Sequence, residues 1–93
     1  MSQVTDNRQQ GRFEMLVEGH TAFVTYRISG DTAVLNHAEV PAELEGRGVG
    51  SRLVRGTLEH LRERGMQVVP RCSFVAAFIR KNAEFADMLA NGR

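Results

Sequence analysis

Three glycines alternate along Glu45-Gly46-Arg47-Gly48-Val49-Gly50-Ser51, directly before an amphipathic stretch. Glycine permits tight turns and close approach of a ligand to the main chain. A helix start adds unpaired N–H groups and a partial positive charge. The amides of Gly46, Gly48, Val49, Gly50 and Ser51, with the charges of Arg47 and Arg52, therefore suit a phosphate-bearing ligand. Upstream, His37 and Glu39 are two residues apart, so on a strand they share one face. Imidazole titrates near ~6.5, which suits proton transfer at neutral pH. Downstream lies Cys72, the only cysteine. Its thiolate would be a nucleophile if a neighbouring histidine or positive charge lowered its pKa.

Each of these residues has a plainer reading. His37 is a general base or a structural histidine at a sheet end. Glu39 is a second candidate base or an exposed strand carboxylate. Cys72 is a small buried hydrophobe, a common state of free cysteine, or a group lining a site. Phe74, Val75, Phe78 and Ile79 read as core.

Several ligands are excluded by spacing. Gly-x-Gly-x-Gly is not the Gly-x-Gly-x-x-Gly dinucleotide fingerprint, and 93 residues are too few for a full Rossmann domain. No Gly-Lys-Ser/Thr follows, so a P-loop is absent. His37-Ala38-Glu39 before Pro70-Arg71-Cys72 lacks the second cysteine of a zinc deaminase. His20, His37 and His60 show no metal-ligand spacing, so no metal is expected. The net charge of +1 and interspersed glutamates argue against a nucleic-acid binder. No apolar run approaches the ~20 residues of a membrane span. A lone cysteine and no hydrophobic leader fit a reducing cytoplasm, with no membrane partner.

The elements that must position these residues follow from pattern. Residues 1–11 are polar and read as a mobile tail. Residues 12–93 read as a single domain. Phe13, Met15 and Val17 alternate, as do Ala22, Val24, Tyr26 and Ile28; Glu18-Gly19-His20 and Ser29-Gly30-Asp31 are turns between them. A third strand runs from Thr32 to Val40, stopped by Pro41. Short turns join antiparallel neighbours, so these three strands form a meander. Leu53, Val54, Thr57, Leu58 and Leu61 mark a helix from about Ser51 to Arg64, closed by Gly65. Met66 to Val69 is a short strand reached by a right-handed crossover, hence parallel to its neighbour. Ser73 suits the N-cap of another short helix. Phe85, Met88 and Leu89 mark a last one. The fold class is thus α/β (α+β): a mixed sheet, with an antiparallel meander, a β-α-β crossover and C-terminal short helices.

The glycine segment resembles the acetyl-CoA signature of the GNAT N-acetyltransferases, Arg/Gln-x-x-Gly-x-Gly/Ala. A wider set, Asn36-His37-Ala38-Glu39-Val40-Pro41, Val69-Pro70-Arg71-Cys72-Ser73-Phe74 and Asn82-Ala83-Glu84-Phe85, is similar to the small acetyltransferase CG group. The resemblance covers the chain from about Phe13 onward. It implies a GNAT-like domain that binds the pyrophosphate of acetyl-CoA through loop amides and transfers acetyl to an amine acceptor. It also implies that the strand end Ala38-Glu39-Val40 contributes a backbone N–H to the thioester carbonyl, and that Cys72 has a catalytic part. Cys72 would accept the acetyl group or contact its pocket. The expected cofactor contacts are Val40, Glu45, Gly46, Arg47, Gly48, Val49, Gly50, Ser51 and Arg52; the candidate catalytic residues are Cys72, His37 and Glu39. Glu45 departs from the pattern, since the family places Arg or Gln there. A carboxylate beside a diphosphate is repulsive unless it points away. Two other functions fit the same residues: a noncatalytic CoA or acyl-CoA binding module, and an interaction domain whose glycines only make a tight connection. With such short turns there is no room for substrate-shaping helices, so protein, peptide and small amines all remain open as acceptors.

Overall fold

The computed structural model describes residues 3–90. Five strands form one sheet in the order β1-β2-β3-β4-β5: β1 (Thr5–Asn7), β2 (Arg12–Val17), β3 (His20–Ser29), β4 (Thr32–Glu39) and β5 (Gln67–Pro70). The first four are antiparallel neighbours, and β4 and β5 run parallel. Helix α1 (Val49–Glu63) connects β4 to β5, and α2 (Ser73–Lys81) follows, then a 3-10 segment at Ala83–Met88. The mixed sheet, crossover and C-terminal helices match the class expected from the sequence.

Alternation explains the core. Phe13 and Met15 of β2, Ala22 and Val24 of β3, and Ala33 and Leu35 of β4 are buried, as are Leu53, Val54, Leu58 and Leu61 of α1. Val75, Phe78 and Ile79 of α2 join them, with Phe85 and Met88 from the last turn. Thr57 is buried among these and donates its hydroxyl to the Leu53 carbonyl. Helix α1 ends as its glycine dictates. Gly65 has φ 69°, its N–H reaches the Arg62 carbonyl, and the Met66 N–H reaches that of Leu61. These two bonds are a Schellman closure.

Four details differ from expectation. Thr5–Asn7 pair with β2 as an edge strand, where a mobile tail was expected; residues 1 and 2 lie outside the described residues. Asp6 fixes this strand by accepting hydrogen bonds from Tyr26 Oη (2.7 Å) and from Arg64 (2.9 Å). Helix α1 begins at Val49, two residues before Ser51. Cys72, not Ser73, is the N-cap of α2. Ile28 shares the strand of Ala22 and Val24 but sits exposed near its end.

A register shift in β4 positions the candidate chemistry. Thr25 faces His37 and Tyr26 faces Leu35, so Asn36 is an extra residue. Such a bulge reverses the in–out alternation. Leu35 points to the core before it and Ala38 packs on the core after it, which turns His37 and Glu39 to the opposite, open face.

Candidate functional site

The glycine loop is held at its start by Leu44, buried within a 3-10 turn at Ala42–Leu44. Gly46 and Gly48 then adopt φ 81° and 72°, a region that side chains resist. Gly48 is the N-cap of α1 and provides no side-chain cap. The helix ladder begins with Arg52 N–H to the Gly48 carbonyl at 3.1 Å. Helix geometry therefore leaves the N–H groups of Val49, Gly50 and Ser51 outside that ladder.

These residues border an open depression of about 250 Å³. Glu45, Gly46 and Gly48 line it from the loop, and Val49, Gly50 and Ser51 from the helix start. Val40, Leu44 and Phe74 form its apolar walls. Seven of the nine expected cofactor contacts thus meet at one place. The two arginines turn elsewhere. Arg47 Nη1 pairs with Glu18 Oε1 at 2.7 Å. Arg52 faces a second depression with Gln3, Arg55 and Glu59, its Nη1 3.5 Å from Gln3 Oε1.

Phe74 is the lining residue that sequence reasoning assigned to the core. It is 45% exposed. The buried stripe of α2 is Val75, Phe78 and Ile79. At ~100° per residue, Phe74 falls at the edge of that arc, and this was the available signal. Gly50 is what admits the ring: a Cβ there would sit 2.9 Å from Phe74 Cζ.

His37 and Glu39 do come together. His37 Nε2 lies 3.2 Å from Glu39 Oε1, with both side chains 60% exposed. Phe23 meets the His37 ring edge-on at 6.4 Å, and Arg12 stacks on Phe23 at 4.4 Å. Arg12 also pairs with Glu14, whose carboxyl is held below its usual range first by that hydrogen bond. Cys72 is half-buried against the core, and its hydrogen bonds are through the backbone: its N–H donates to the Leu35 carbonyl at 3.2 Å and its carbonyl accepts from the Ala76 N–H at 3.0 Å. Its thiol is joined to neither His37 nor Glu39. The β4–β5 ladder stops at Leu35 opposite Pro70. From Asn36 onward the β4 edge therefore has no β5 residue beside it, and this open edge leads to the glycine loop. Among the described residues no group of three or more His, Cys, Asp or Glu could hold a metal ion. No helix there is long and apolar enough to cross a membrane.

This arrangement has relatives. Protein NATD1 of Mus musculus is 27% identical over 82 residues, spanning 85% of this chain and 74% of that protein. The solution structure of a GCN5-like protein from Staphylococcus aureus superposes with a TM-score of 0.71 at 27% identity, covering 97% of this chain and 91% of the other. Residues 12–88 match the family model described as GCN5-related N-acetyl-transferase. A match over that span means that the chain belongs to the GCN5-related N-acetyltransferase family.

Proposed function

We propose that the protein binds acetyl-CoA at the glycine loop and transfers the acetyl group to an amine. The observation that carries this reading is the depression at the start of α1. It combines helix N–H groups outside the ladder, two left-handed glycines and apolar walls, beside an unpaired strand edge. The residues fit a diphosphate: Gly46, Gly48, Val49, Gly50 and Ser51 would hold it through amides, and each such bond to a charged group contributes ~1.5–3 kcal/mol. Phe74 and Val40 would cover apolar parts of the ligand. Bound acetyl-CoA supplies an activated acyl thioester. The free β4 edge offers backbone donors to the acyl region, since alternate N–H groups of a strand point to each side.

The chain's own contribution to the reaction is proton removal from the acceptor. An unperturbed amine such as lysine titrates near ~10.4 and is not nucleophilic while protonated. His37 is the acceptor of that proton in this reading. Glu39 Oε1 lies 3.2 Å from the ring Nε2 and orients the imidazole. Cys72 has no such partner, which favours a lining role over a covalent one.

The test is thermal unfolding with and without coenzyme A, followed by acetylation of a panel of amines and peptides. Ligand at 100 times its Kd stabilises by ~2.7 kcal/mol, a rise in midpoint of roughly 10 °C or more for a domain of this size. No rise at high ligand would contradict the reading. Glu45 borders the same depression as an exposed carboxylate. Glu45→Arg reverses that charge and should tighten coenzyme A about threefold or more, read by calorimetry. Equal or weaker binding would show that this side chain points away from the ligand.

A further inference from the structure

Glu18 is the one non-glycine residue with positive φ among the described residues, at 50°. With Gly19 at φ 81° it forms the two-residue turn between β2 and β3, where Val17 pairs with His20. Primed turns of this kind favour Asn or Gly at the first position, because a longer side chain resists the left-handed region. Glutamate is thus a poor local choice, and its side chain has a use beyond the turn. Glu18 Oε1 lies 2.7 Å from Arg47 Nη1, at the centre of the glycine loop. A second contact joins the same two segments: His20 Nδ1 is 4.0 Å from Glu43 Oε1. Arg47 sits between Gly46 and Gly48, the two left-handed glycines, yet it is missing from the lining to which both contribute.

We propose that Glu18 is a latch on the cofactor loop. Its carboxylate holds Arg47 away from the phosphate cradle, and a bound diphosphate takes Arg47 in exchange. The inference rests on the acetyl-CoA reading above. Both partners are substantially exposed, 47% for Arg47 and 65% for Glu18, so the pair is weak enough to exchange. A diphosphate offers the guanidinium more charge and a bidentate geometry. Arg47 is the one basic residue between Glu45 and Ser51, and Glu18 sets how much of it a ligand can use. Glu18 is therefore a positioning residue that limits affinity.

Calorimetric titration of coenzyme A into the whole protein tests this through a double-mutant cycle. Glu18→Gln keeps the side-chain size and removes the charge. It should tighten binding about two- to fivefold, the span of an exposed ion pair. Arg47→Ala should weaken binding, and Glu18→Gln should then add nothing. Glu18→Asn, which suits a left-handed turn, removes the same carboxylate and guards against a folding defect in the first variant. Unchanged or weaker binding in both Glu18 variants would overturn the latch. An equal gain with and without Arg47 would also overturn it, because Glu18 would then act only as distant charge. A wild-type protein that fails to bind coenzyme A overturns the cofactor reading itself, an outcome distinct from both.

Discussion

Asp6→Asn should lower the unfolding midpoint by about 10 °C at neutral pH. The Asp6 side chain is only 8% exposed and accepts bonds from Tyr26 Oη and Arg64, with the exposed Arg8 at 3.3 Å. Hydrogen bonds to a charged group are worth ~1.5–3 kcal/mol, and losing about 2 kcal/mol shifts a domain of this size by roughly 10 °C. Asparagine keeps an acceptor but loses the charge that both arginines meet. The same residue sets an acid limit. Burial alone would raise the Asp6 carboxyl, but the bonds from Tyr26 and Arg64, the Arg64 charge and the Arg8 bond outweigh it and hold it below its usual value. A depressed folded-state pKa gives stability that is present above the unfolded value near ~3.9 and lost as pH falls through the folded value. Tyr26 works in the other direction. Burial, then the bond to Asp6 and its charge, push its hydroxyl up to about 12. That stability is present below ~10 and lost as pH rises towards the folded value. Melting curves across pH should therefore fall at both ends for the wild type, and Asp6→Asn should flatten the acid side. A variant with the same acid slope as wild type would remove Asp6 from this account.

The Asp6 cluster also marks where local sequence reading stops. Thr5–Asn7 have no apolar alternation, so nothing local says strand. The strand exists because Tyr26, Arg64 and His60 reach it from distant parts of the chain; His60 Nε2 donates to the Val4 carbonyl at 2.6 Å. Pairwise contacts of this kind leave no periodic trace. Features encoded in backbone preference were legible. Gly65 closes α1, the turns at Glu18 and Gly30 fold the meander, and Gly46 and Gly48 take the left-handed conformations that only glycine adopts easily. The bulge at Asn36 was not legible, because it costs no special residue type; yet it decides that His37 and Glu39 face outward. Arg47 illustrates the same limit at the site. Its position in the loop predicts a charge for the phosphate, but the guanidinium pairs with Glu18, far away in sequence. Phe74 was hidden by averaging, since an apolar residue at the rim of a helix stripe reads as core.

Gly50→Ala should separate binding from stability. The new Cβ would lie 2.9 Å from Phe74 Cζ, 3.2 Å from Cε2 and 3.5 Å from Val40 Cγ2. The first is closer than packed carbons allow and the second is tight, so the ring must move. Phe74 is partly exposed and its ring is the free end of a side chain, so the ring swings out towards solvent. The fold loses little, and replacing glycine within a helix returns up to about 1 kcal/mol of backbone entropy. The depression, however, loses its apolar wall and gains a methyl group beside the amides of Val49 and Ser51. Coenzyme A affinity should fall about tenfold, equivalent to ~1.4 kcal/mol, while the melting point of the free protein holds or rises. Phe74→Ala relieves the clash without restoring the wall. The double variant should therefore bind no better than Phe74→Ala alone. The ratio of affinities for coenzyme A and inorganic pyrophosphate tells which part failed. Loss of the wall weakens coenzyme A selectively, whereas crowding of the amides weakens both. Full coenzyme A affinity in Gly50→Ala would mean that the ligand does not use this face of the helix start, and the cradle would have to be sought elsewhere on the loop.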